Sequence, residues 1–177
     1  MLVSELRLAG PRSAAHIDAE ALAALTLPDG GRLPSSYVAF VEHAGWARTF
    51  GLWLVYPPVL PGWADGLQGR GGALTTRMVD AFLEAKAEDF DWVIEPDGSW
   101  ELIPALRVFA WSENGDALLW DTSSRDARGE YRVFCSSRGQ NLALWGADLE
   151  EALDRMADAR FGDAPDLEPL RPSRVED

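Results

Sequence analysis

The sequence predicts an α+β fold: N-terminal helices, a mostly antiparallel twisted sheet of about five to six strands, and a C-terminal helix. Three observations carry this expectation. Tyr37, Phe40, Val41 and Ala44 recur at the spacing of one helical face. Asn114-Gly115 lies between two apolar runs, and this pair marks a hairpin because both central residues of a type I′ turn need positive φ. Asp148, with Glu151 three residues on, opens a second helical stripe in the manner of a capping box. Hairpins stand where a parallel sheet would need long crossovers, which separates this pattern from a doubly wound fold.

Each element follows in order. Ile17, Ala21, Leu22 and Leu25 share a stripe and predict a helix over 17–26, broken by Pro28-Asp29-Gly30-Gly31. Pro34 suits the first turn of the next helix, where its missing N–H costs nothing, and Gly45 suits its end. Leu33 is a poor cap, so Ser35 or Ser36 is expected to hold the free amides. Leu52–Tyr56 is the first expected strand, stopped by Pro57 and Pro58. Residues 57–73 read as a Pro- and Gly-rich loop. Leu74, Met78, Phe82 and Ala85 then place a helix over 74–88.

Pro96-Asp97-Gly98 has turn chemistry, so Trp92–Glu95 and Ser99–Leu102 are expected to pair as a hairpin. Leu106–Ser112 and Ala117–Trp120 flank Asn114-Gly115, Tyr131–Cys135 is a further strand, and 142–145 a last short one. Leu149, Ala152, Leu153 and Met156 form the face of the closing helix. Residues 1–162 are expected to form one domain, with 57–101 an elaborated middle segment. Three prolines and no periodicity predict a loose tail over 163–177.

The chain has 177 residues and one cysteine, Cys135, so no internal disulfide forms. Glu5 and Arg7 precede any apolar run, so no secretory signal is expected. The longest apolar stretch, Leu52–Trp63, carries Pro57, Pro58 and Pro61 and is too short to span a bilayer. A cytoplasmic protein with no membrane association is the expectation.

Net charge is −13. Residues 1–79 balance six acids with six bases, whereas 80–121 carry eleven acids against Lys86 and Arg107. Such a block disfavours nucleic acid, which needs a basic surface, and favours a basic protein partner. Composition alone is explained as well or better by solubility.

Several short motifs recur in a telling order. Leu33-Pro34-Ser35-Ser36-Tyr37 runs on to Phe40, and Gly45-Trp46 follows. Ile103-Pro104 enters a strand, Asn114-Gly115-Asp116 turns, the next strand ends in Trp120-Asp121, and a helix closes over Asp148–Met156. In this order, over residues 17–158, the chain resembles the SUKH superfamily. It departs from that pattern in its long 57–101 segment, and in Trp46-Ala47-Arg48 where a more glycine-rich run is usual. The resemblance implies a compact α+β domain that binds a specific cognate bacterial toxin. Some relatives instead regulate cell-wall synthesis or act as scaffolds.

Chemistry-bearing patterns are sparse. His16 and His43 are the only histidines, and nothing in the sequence joins either to Cys135, which sits in a strand where an inert thiol is usual. One cysteine and two distant histidines exclude the common zinc patterns. The acids around Glu113, Asp116 and Asp121 lack the spacing of a calcium loop. Gly66–Thr76 lacks the lysine of a phosphate loop. The expectation is therefore no catalytic residue, cofactor or metal. A partner surface is expected instead, with Asp89, Asp91, Glu95, Asp97, Glu101, Glu113 and Asp116 facing a basic toxin domain and Trp92 or Trp100 as apolar anchor. A small glycan-binding or hydrolytic protein using the spare tryptophans is the less favoured alternative.

Overall fold

Helices and an antiparallel sheet alternate in a computed structural model that describes residues 1–176. Helix α1 spans Ala19–Ala24, α2 Ser35–Ala44, α3 Gly72–Ala87 and α4 Leu149–Asp158. The strands are β1 Ala47–Thr49, β2 Trp53–Val55, β3 Leu106–Ser112, β4 Ala117–Asp121, β5 Val133–Ser136, β6 Ala143–Gly146 and β7 Leu167–Pro169. They form one seven-stranded sheet in the order β6-β5-β4-β3-β2-β1-β7, antiparallel at every step. The α+β class and the antiparallel sheet read from the sequence are both present, with more strands than expected.

The helix ends follow their chemistry. The Asp18 carboxylate accepts the Ala21 N–H and caps α1, and the Asp148 carboxylate accepts the Glu151 N–H at 3.0 Å and caps α4. At α2, Pro34 stands at the cap position and offers no side-chain bond. Ser35 and Ser36 do not take over the amides as expected. Both hydroxyls donate instead to buried Glu130, at 2.6 and 2.7 Å, and Glu130 also accepts the Ser36 N–H. A carboxylate from a distant loop thus meets the positive end of the helix, the favourable sign for its dipole.

Aromatic rings build the centre of the core. Tyr37 of α2 meets Trp120 of β4 edge-on with centroids 4.9 Å apart, and Phe109 stacks on Trp120 at 4.4 Å. The Tyr37 hydroxyl donates to the Tyr56 carbonyl at 2.5 Å, so its buried polar atom is satisfied. Strands β4 and β5 are buried along their whole length, so both faces of the sheet are covered there. The sheet also coils. Trp53 on β2 and Trp145 on β6 touch at 5.4 Å, although a flat sheet would hold those strands about 19 Å apart. Register shifts at Val108/Ala110 and Val133/Phe134 supply bends that permit this closure.

Three expectations are corrected. Residues 92–102 form no hairpin. Asp91–Ile94 winds into a 3₁₀ turn, the Glu95–Pro96 peptide is cis, and Gly98 N–H returns to the Ile94 carbonyl at 2.8 Å. Local bonds satisfy this backbone, so it has no need of a partner strand. Trp92 and Trp100 accordingly do not face each other across strands. The tail is not loose throughout, because Leu167–Pro169 pairs with β1, and Trp63 and Arg174 form a further isolated bridge. Lastly, the 57–73 stretch is not loop throughout: Leu67–Gly71 makes a wide π-type turn that runs directly into α3.

Both sheet edges are flanked in part by other segments. Residues 95–97 run beside β6, where Leu142 N–H donates to Glu95 at 2.8 Å and Asp97 N–H donates to Leu142 at 3.1 Å. Residues 7–9 run beside β7, where Ala9 N–H donates to Leu167 at 2.8 Å and Leu167 N–H donates to Arg7. Further along that edge Pro169 has no N–H to offer.

Candidate functional site

The end of α3 and the turn after it carry the best candidate surface. Asp89 adopts a left-handed φ of 58°, a conformation Asp tolerates better than most residues, and this stops the helix. The chain then enters the 91–94 turn, in which Val93 is buried and anchors the segment. Its neighbours point outward: Phe90 is 47% exposed and Trp92 52%, with their rings 6.3 Å apart. Leu83, near the end of α3, is also largely exposed. An exposed aromatic pair rimmed by polar groups is a feature that protein interaction sites share.

Carboxylates surround the pair. Asp89, Asp91, Glu95, Asp97 and Glu101 are all exposed. Two of them also hold the segment together. Asp91 accepts the Trp100 indole N–H at 2.8 Å, and Asp97 accepts the Leu144 N–H at 2.9 Å, tying the turn to β6. The Glu101 carboxyl lies below its ordinary pKa, through its own backbone N–H first, then the Ser99 hydroxyl and the nearby Lys86 charge. Lys86 also stands over Trp100, 5.6 Å from the ring centre.

Of the expected surface, Asp89, Asp91, Trp92, Glu95, Asp97, Trp100 and Glu101 therefore belong to one continuous stretch. Trp100 is half-buried and pinned, so Trp92 is the free anchor. Glu113 and Asp116 sit on the β3–β4 hairpin with partners of their own. Glu113 pairs with Arg48 of β1 at 2.8 Å, and Asp116 accepts the Ser112 hydroxyl. Phe90 and Leu83 were not among the expected residues. Phe90 lies between Asp89 and Asp91 in the sequence, and an aromatic residue inside so acidic a run is the signal that marks it.

The cysteine and both histidines are engaged or sequestered. Burial pushes the Cys135 thiol up to about 12, with the Asp116 charge adding to it, so at neutral pH it is protonated and a poor nucleophile. His43 lies with Nε2 2.8 Å from the Leu6 carbonyl. His16 is buried with both ring nitrogens unpartnered among the described residues, its ring packed on Trp63. Among the described residues no group of three or more His, Cys, Asp or Glu side chains is placed to hold a metal ion, and no helix is long and apolar enough to cross a membrane.

Comparison with protein-family models, curated proteins and solved structures finds no match to this chain.

Proposed function

We propose that this chain is a non-enzymatic protein-binding domain of the cytoplasm, and that it neutralises a basic toxin domain as bacterial immunity proteins of the SUKH type do. The observation that carries the reading is the exposed Phe90–Trp92 pair set among Asp89, Glu95 and Glu101. Five exposed carboxylates steer a cationic partner toward the corner, and desolvated aromatic rings then set how long it stays. The SUKH-like order of motifs supplies the class of partner.

A tagged pull-down from the native host, washed at low and then high salt, supplies the partner. Its association with this chain is then followed by stopped flow. In the variant Asp89→Asn/Glu95→Gln/Glu101→Gln the on-rate should fall about tenfold and lose most of its salt dependence. Asp91 and Asp97 are left intact because they hold Trp100 and β6. Trp92→Ala should act mainly on the off-rate, raising it by roughly 30-fold, the effect of losing a hot spot worth about 2 kcal/mol. An on-rate unchanged by the triple variant rules this surface out. Recovery of several weak host partners in place of one toxin would favour a scaffold role.

A further inference from the structure

A second surface, of opposite sign, lies on the sheet side of α3. Arg77, Met78, Ala81 and Phe82 of α3 line a groove of about 400 Å³ together with Trp111 of β3 and Arg138. The volume suits one small ligand. Met78 and Phe82 are buried and Trp111 is half-buried, so the floor is apolar. Gly115 and Gly139 form part of the wall and put no side chain in the way.

The arginines are the informative part. Acids outnumber bases by 29 to 16 in this chain, and Arg48, Arg70, Arg125, Arg128, Arg132 and Arg160 each have a carboxylate partner. Several others have none among the described residues, and of these Arg77 and Arg138 are the two that are exposed and line the same groove. The Arg77 guanidinium stands 5.5 Å from the centre of the Trp111 ring. Arg138 Nε donates to the Asn114 carbonyl at 3.1 Å, which fixes its stem and leaves its terminal nitrogens free. The nearest acids on that hairpin are turned to other work, Glu113 to Arg48 and Asp116 to Ser112.

We propose that this groove binds a carboxylate carried on a small apolar body, the guanidinium forks taking the carboxylate and Trp111 the apolar part. Planar donors match a carboxylate in two-point geometry, and the aromatic floor removes the apolar group from water. The overall negative charge opposes an extended polyanion, so a single compact acid is the class that fits. The free acid and the C-terminal residue of a peptide share this chemistry. The inference is independent of the partner surface at 89–101.

The test is a titration of the full chain, followed by NMR of the arginine Nε–H and tryptophan indole signals. The probes are 3-phenylpropionate, its neutral amide, and the tripeptide Gly-Gly-Phe with a free C-terminus. Saturable shifts at Arg77, Trp111 and Arg138 are expected for the acid, with a dissociation constant of about 1 mM or tighter. The amide, and the acid on Arg77→Gln/Arg138→Gln, should each bind at least ~10-fold more weakly. Both arginines are exposed, so an unchanged melting temperature checks that the variant is folded. Tighter binding of the tripeptide than the acid supports the site and identifies a chain terminus as its ligand; the reverse supports it and identifies a free acid. Absence of saturation, equal binding of the amide, or full binding by the folded double variant overturns it.

Discussion

Glu130 is a buried carboxylate with no cation on it among the described residues, and its partners are two hydroxyls and one amide at the head of α2. Replacing it with Ala leaves those donors facing a cavity, so Glu130→Ala should lower stability by about 1–3 kcal/mol in a denaturant titration. Asp29 has a different role. Burial pushes its carboxyl up, but hydrogen bonds from Arg125, Tyr131 and the Gly31 N–H outweigh this and hold it at about 2. It stitches the 28–31 turn to the loop before β5. His16 works against the fold as pH falls. Burial lowers its pKa from 6.5, with Asp65 opposing more weakly, so the unfolded chain takes up a proton more readily than the native one. Its contribution is complete above the unfolded value and declines as pH drops toward the lower folded value. Thermal melts between about pH 7 and pH 5 should show a loss of stability that His16→Phe reduces, because the depressed carboxylates titrate below that range. An identical slope in both proteins would show that His16 is not responsible.

Elements were legible where local chemistry alone suffices. Helix α2 is written in its apolar stripe and in Gly45, α4 in Asp148 and its stripe, and the β3–β4 hairpin in Asn114-Gly115, although only Gly115 takes a positive φ and its N–H returns to the Ser112 carbonyl, so the turn is not the expected type I′. Asp148→Ala should cost about 1 kcal/mol in equilibrium unfolding, the usual worth of a cap. Strands β1 and β7 were not legible. Ala47-Arg48-Thr49 and Leu167-Glu168-Pro169 are too short to show alternation and become strands only through pairing with each other and with β2. The 92–95 run misled for the opposite reason, since its apolar residues suit a strand while its backbone closes local turns. Within the candidate surface the acidic stretch was legible as charge. Which ring stays free was not, because only the fold pins Trp100 to Asp91 and turns Phe90 out beside Trp92.

For the whole molecule, the ends of the chain carry weight that their composition hides. Leu167 is fully buried, and its removal alone forfeits roughly 1.5–3 kcal/mol of apolar burial. A chain ending at residue 165 should therefore melt well below the intact protein, which a calorimetric comparison would detect. It would also bare the edge of β1. In the intact fold residues 7–9 flank β7, where Pro169 offers no N–H, and residues 95–97 bridge to Leu142 at the start of β6. An extended peptide finds little free main-chain ladder at the β7 margin, which disfavours strand addition there. A partner that docks on the 89–101 surface is instead chosen by side-chain shape and charge, which leaves discrimination between rival partners open to change one surface residue at a time without disturbing the sheet beneath.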